Sequence, residues 1–134
     1  MMPDKRLDSN PRIIVVQKLY SYFINRDNQI IYPKHRYKKF IKDTVSGTIE
    51  REEFLLSKLK EILNNEFNPS RTDLILKLMI LSATFELFYS HKTPIKVVVS
   101  EYVKISDFFL ESAHKGYLNA ILDKVSKNVR KNSE

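Results

Sequence analysis

Cysteine is absent from this chain of 134 residues, which removes disulfides, thiolate metal sites and cysteine nucleophiles together. Glycine occurs only at Gly47 and Gly116, so no G-x-G-x-x-G or G-x-x-x-x-G-K loop can be written, and nucleotide-binding α/β enzymes lose their signature. Long apolar runs are missing too. Ile13 to Val16 is too short for the apolar region of a signal peptide. The most apolar stretch, Leu74 to Tyr89, is interrupted by Lys77, Ser82, Thr84 and Glu86 and falls short of the roughly 20 residues that a membrane span needs. No export and no membrane are expected, and the cytoplasm is the expected compartment.

What is present is positive charge on a globular composition. Lys and Arg number 23 against 16 Asp and Glu, a formal +7, with 43% apolar residues. Length and composition predict a single domain over 1–134 with a sizeable core, a loose basic arm at 1–9 and a loose tail at 130–134. The charge is uneven. Residues 1–42 hold ten cations and three anions, residues 43–68 three and six, and residues 69–134 ten and seven. A basic N-terminal third is the electrostatic footprint of a polyanion binder, and equally of a solvated basic surface.

Apolar spacing follows a helical period throughout. Asn10-Pro11 opens a first helix as N-cap and first-turn proline, with Ile13, Val16, Tyr20, Phe23 and Ile24 on one face. A second helix is expected from near Pro33 to Gly47, where glycine would take a left-handed C-cap. The third begins at Glu50, Glu52 and Glu53 and carries Leu55, Leu56, Leu59, Ile62 and Leu63, closing at Asn64, Asn65 and Pro69. Ser70 and Asp73 form a capping-box pattern ahead of Arg71 to Tyr89, which is apolar nearly all round and belongs at the centre of a bundle. Pro94 to Leu110 contains Val97-Val98-Val99, yet its three- and four-residue steps predict a helix; a last helix spans Ala113 to Val129.

Chemistry of the enzymatic kind is not legible. His35, His91 and His114 have no metal-ligand spacing, and no G-x-S-x-G elbow accompanies them, so neither catalytic nor metal residues are assigned and no cofactor is expected. Glu86 and Glu101 sit within apolar helices, where a carboxylate is costly unless ion-paired or facing a partner; both are candidate partner-binding residues and candidate structural pairs. Lys5, Arg6 and Arg12 approach the first helix and suit phosphates, Lys18 adds a cation within it, and Gln17 and Tyr20 carry an amide and a ring able to read or stack on an unpaired base. Tyr20 on the apolar stripe is also a candidate core residue.

Pro11-Arg12-Ile13-Ile14-Val15-Val16-Gln17-Lys18-Leu19-Tyr20 resembles the A-R-x-x-A-x-Q-x-L-Y opening of the NusB family of transcription antitermination factors. Phe40 to Gly47 is similar to the family's F-x-x-x-L-x-x-G segment, Ile80 to Leu87 to L-R-x-A-x-Y-E-L, Pro94 to Val103 to P-x-x-V-x-I-N-E-x-V, and Tyr117 to Asp123 to F-V-N-G-V-L-D. These blocks keep their order from about residue 11 to 125.

The resemblance implies an all-α fold of about six to seven helices in two packed bundles. It also implies a non-enzymatic role: pairing with the ribosomal protein NusE, binding boxA RNA of ribosomal RNA operons, and joining the antitermination complex of RNA polymerase. By the motif match it carries over Arg12, Gln17 and Tyr20 as RNA-binding positions; Lys5 and Arg6 follow from proximity and charge. The chain departs from the family pattern at Leu81, Ser100 and Ala120, where the family has Arg, Asn and Gly. The arm holds only Lys5 and Arg6, diluted by Asp4 and Asp8, so RNA affinity without the partner is expected to be weak. Lys34, Arg36, Lys38, Lys39 and Lys42 suit either a compensating RNA surface or a solvated helix face. The alternative reading is an accessory helical protein-interaction module related to the N-terminal domain of ribosomal RNA methyltransferases. A homodimer through apolar helix faces stays open.

Overall fold

A helix that is apolar on every side is stable only when other elements surround it. In the computed structural model, which describes residues 10–129, that helix is α4 (Leu74–Tyr89). Around it stand α1 (Pro11–Ile24), α2 (Lys38–Glu50), α3 (Glu52–Ile62), α5 (Ile95–Phe109) and α6 (Ser112–Val129), with no strand among the described residues. The fold is all-α, as expected, and α4 touches each of the other five helices. α2 bridges α1 and α3 on one side, α5 pairs with α6 on the other, and the two groups share α4. The arm and tail, including Lys5 and Arg6, lie outside the described residues.

Leu76 and the unbroken run Leu78 to Leu87 are buried on α4. Each large apolar side chain removed from water contributes about 1.5–3 kcal/mol, which makes this helix the main anchor of the core. Polar groups within it are bonded locally: the Thr84 hydroxyl donates to the Ile80 carbonyl at 2.7 Å, and Ser82 to that of Met79 at 3.4 Å. Leu55, Leu59 and Leu63 are buried as their spacing predicts. Asn64 and Asn65, with φ of 53° and 67°, end α3 in the left-handed region that asparagine tolerates.

Three expectations are corrected. α2 starts at Lys38 rather than near Pro33, because His35 first makes a turn: its Nδ1 accepts from the Tyr37 N–H at 2.9 Å and its carbonyl from the Lys38 N–H at 3.1 Å. α4 starts at Leu74, since Asp73 itself caps it by accepting from the Leu76 N–H at 3.3 Å, while Ser70 bonds Asn68 instead. Gly47 is not a C-cap. It lies inside α2 with no positive φ, and the Phe85 ring of α4 occupies the place of its missing side chain: a Cβ there would stand 2.2 Å from Cζ of the ring.

The face of α1 also differs from its expected stripe. Ile13, Ile14, Val15, Val16 and Leu19 are buried, whereas Tyr20 is 40% exposed and Ile24 faces solvent. Positions 13 to 16 span the whole circumference, so the start of α1 is buried all round and the side bearing Ile13 becomes exposed only further along, at Tyr20 and Ile24.

The Gly47–Phe85 seat yields a direct test. Gly47→Ala is expected to lower stability by about 1–3 kcal/mol through overpacking, read as a lower urea midpoint by circular dichroism. Adding Phe85→Leu is expected to recover part of the loss; an unchanged midpoint in the single variant would contradict the close approach.

Candidate functional site

The first turn of α1 is set by its cap. Asn10 Oδ1 accepts from the Arg12 N–H at 3.0 Å, satisfying one of the donors a helix start leaves open. That turn sends the Arg12 side chain inward, to the only carboxylate of α4. Nε of Arg12 donates to Oε2 of Glu86 at 3.0 Å and Nη2 donates to Oε1 at 2.6 Å, a bidentate pair. Glu86 is wholly buried and the Arg12 side chain is 11% exposed. The guanidinium carbon lies 4.8 Å from the centre of the Phe40 ring of α2 and 5.8 Å from that of Tyr102 of α5. One arginine thereby joins α1, α2, α4 and α5.

Electrostatics follow the geometry. Burial pulls the Arg12 guanidinium down, but the Glu86 hydrogen bond and charge outweigh it and hold the group above its ordinary value. Tyr102 is wholly enclosed near that carboxylate, and its hydroxyl makes no hydrogen bond of ordinary geometry. Burial first, and the Glu86 charge second, push the phenol well above its usual range.

Beside this cluster opens a groove of about 470 Å³, with Asn10 and Pro11 from the start of α1, Tyr37 and Phe40 from the start of α2, and Thr93 and Val97 from the start of α5. Arg12 and Glu101 complete its walls. Three helix N-termini converge there, each carrying the positive end of a helix dipole, an arrangement that favours anions. Lys38 opens α2 and Lys96 lies in the first turn of α5, both exposed.

The residues expected to bind RNA are thus divided. Gln17 and Tyr20 share the solvent face of α1, and Lys18 is half-buried beside them. Arg12 is turned inward, committed to Glu86. Glu86, expected to face a partner, presents nothing to one, because it is buried and held through both oxygens; its ion-pair reading is the one realised. Glu101 is half-buried at the groove. Tyr37, Phe40 and Tyr102 were not read from the sequence as site residues. The Arg12–Glu86 link had a signal, though: a lone carboxylate in the most apolar helix needs a cation, and Arg12 stands directly before the apolar run Ile13 to Val16. Away from this end, the turn after α3 and the helix α6 enclose an apolar cavity of about 210 Å³, lined by Leu63, Phe67, Tyr117 and Ile121 with Glu66 and Lys124 at its edge.

Among the described residues no group of His, Asp and Glu could hold a metal, and no helix is long and apolar enough to cross a membrane. Comparison with known proteins decides the family. The model of the NusB family matches residues 9–127. The chain belongs to the NusB family. It is 26% identical to the transcription antitermination protein NusB of Sphingopyxis alaskensis, over 92% of this chain and 94% of that protein. It is 31% identical to that of Nitrobacter hamburgensis over 68% of this chain and 57% of the relative, and 32% identical to that of Rhodopseudomonas palustris strain HaA2 over 68% and 54%. The chain spans little more than half the length of those last two relatives. The solved structure of T. maritima NusB superposes with a TM-score of 0.78 at 20% identity, covering 96% of this chain and 94% of that one, and so shares the fold.

Two outcomes test the cluster. Glu86→Ala is expected to cost about 3–5 kcal/mol in urea denaturation, because it strands a buried guanidinium, whereas Arg12→Met with Glu86→Leu is expected to recover most of that loss. Tyr102 gives a pH dependence. Its folded-state pKa is raised above the unfolded value of 10.0, so its contribution is complete below about pH 10 and is lost as pH rises beyond, where only the unfolded chain ionises. Denaturation midpoints at rising alkaline pH should fall less steeply in Tyr102→Phe than in the parent; parallel curves would refute the assignment.

Proposed function

We propose that this chain acts as the RNA- and protein-binding adaptor of a transcription antitermination complex: it pairs with the ribosomal protein NusE, binds boxA-type RNA of ribosomal RNA operons, and joins the elongating RNA polymerase. It works in the cytoplasm and catalyses no reaction. Membership of the NusB family across residues 9–127 carries this reading. The groove at three helix N-termini supports it physically, since partial positive charge and exposed cations suit a phosphate backbone. Gln17 and Tyr20 on the solvent face of α1 supply an amide and a ring for unpaired bases, Lys18 adds a cation, and Lys5 and Arg6 precede them in sequence.

In this reading Arg12 is a positioning residue. By holding Glu86 it fixes the rotation of α1, and with it the outward direction of Gln17. The apolar cavity under Tyr117 suits the anchor side chain of a protein partner, because a few well-enclosed apolar contacts dominate such interfaces. It lies on α6 and the turn after α3, whereas the groove lies on α1, α2 and α5, so RNA and protein need not compete.

Fluorescence anisotropy of a labelled boxA-type RNA tests the reading, with the protein alone and premixed with its cognate NusE, against a scrambled RNA and at stated salt. Tighter, sequence-selective binding with NusE is expected. Tyr20→Ala is expected to weaken it by about 1–3 kcal/mol with helicity unchanged. Binding indifferent to both RNA sequence and NusE would reject the adaptor role while leaving the fold intact.

A further inference from the structure

The strongest concentration of unopposed charge lies outside the first helix, at the start of α2. From Lys34 to Lys42 the chain reads Lys-His-Arg-Tyr-Lys-Lys-Phe-Ile-Lys, five cations with no carboxylate among them. Asp43 follows and is taken by Lys39 at 2.7 Å. Lys34, Arg36, Lys38 and Lys42 are exposed and form no ion pair among the described residues. Lys38 and Lys42 stand one helical turn apart on α2.

An aromatic platform sits in the middle of this charge. Tyr37 is 46% exposed on the wall of the groove. The Arg36 guanidinium lies 5.5 Å from the centre of its ring, and the His35 ring 5.9 Å away at a 41° tilt. Its backbone is preset: the Tyr37 N–H donates to His35 Nδ1, and its carbonyl accepts from the Ile41 N–H at 2.9 Å. An exposed ring on a hydrogen-bonded backbone, flanked by exposed cations, is the combination that holds single-stranded nucleic acid, the ring stacking on a base and the cations following the phosphates.

We propose that the turn and first helical turns at Lys34 to Lys42 form a single-stranded RNA site in their own right. Arg36, Lys38 and Lys42 contact successive phosphates, and Tyr37 stacks on one unpaired base. The site rests on the RNA-binding reading above and extends it: the main phosphate-binding element is placed on α2, which offsets an arm with only Lys5 and Arg6 as cations against Asp4 and Asp8.

The test is anisotropy of a short labelled single-stranded RNA at about 50 and about 200 mM salt, the range over which phosphate contacts change affinity most visibly. It compares the full chain with Arg36→Gln/Lys38→Gln/Lys42→Gln, with Tyr37→Ala, and with a charge-matched control, Lys60→Gln/Arg71→Gln/Lys127→Gln. Circular dichroism melts establish that all variants are folded; every substituted side chain is exposed. Loss of three phosphate contacts is expected to flatten the slope of log affinity against log salt by about 2, at about 0.7 per contact on a single strand. Tyr37→Ala is expected to bind about tenfold more weakly, while the control keeps the parental slope. If the parent chain binds no RNA with or without NusE, the adaptor reading itself fails, and this site with it. If the parent binds and the triple variant shows the same affinity and slope, this site alone is overturned. Parental binding to phosphatidylserine vesicles that the triple variant loses, with RNA affinity unchanged, would also overturn it and assign the surface to anionic lipid.

Discussion

The Arg12–Glu86 pair is the constraint on which this architecture turns. A carboxylate with no solvent contact in the last turn of the most apolar helix is tolerable only if a cation reaches it and saturates its oxygens. The bidentate guanidinium does so, and it lies close to the Phe40 and Tyr102 rings, so the pair ties four helices together. Such a pair adds little net stability over well-packed apolar residues. What it provides is orientation. At about 100° per residue, position 17 lies about 140° around the helix from position 12. Turning Arg12 inward therefore turns Gln17 outward, and a buried interaction sets what α1 shows to solvent.

Charge and dipoles build on that frame. Three helices begin at one groove because α1, α2 and α5 all present their N-terminal ends to the Arg12 cluster. The positive ends of their dipoles would repel one another and the guanidinium, and Glu86 and Glu101 are the acidic groups that offset them. The exterior of the groove keeps its excess of cations, so this end attracts anions although its interior is compensated. In the proposed reading, folding and recognition draw on separate sets of charges, one enclosed and one exposed.

Much of the fold was legible because helix period is a property of the sequence itself. All six helices stand near their expected places, and the central position of α4 followed from its lack of a polar face. The misses arise where one residue type has two physical uses. Gly47 suits either a left-handed cap or a close helix contact, and only the position of Phe85 decides. His35 and Asp73 set helix starts through side-chain bonds to particular N–H groups, which shift a boundary by a few residues without altering the apolar pattern. Tyr20 lies on the same side of α1 as buried Ile13, and its exposure depends on where along the axis the neighbouring helices stop covering that side. At the candidate site, Arg12, Glu86 and Glu101 stood out individually, but charge and apolarity alone do not tell which cation meets which carboxylate across 74 positions of chain. Tyr37 was hidden for another reason: an exposed ring in a basic turn has no signature until its backbone is known to be held.

The arrangement around α4 bears on how the molecule opens. Every other helix rests against it, and its buried run is continuous from Leu78 to Leu87. No peripheral helix can therefore detach without uncovering part of that run, while α4 itself can be freed only by displacing all five neighbours. Its backbone amides should accordingly be the last to exchange with deuterated solvent, through the global transition, and those of the 25–37 connection among the first. The surface that meets RNA in the proposed reading is thus carried by helices that rest directly on a slowly opening axis.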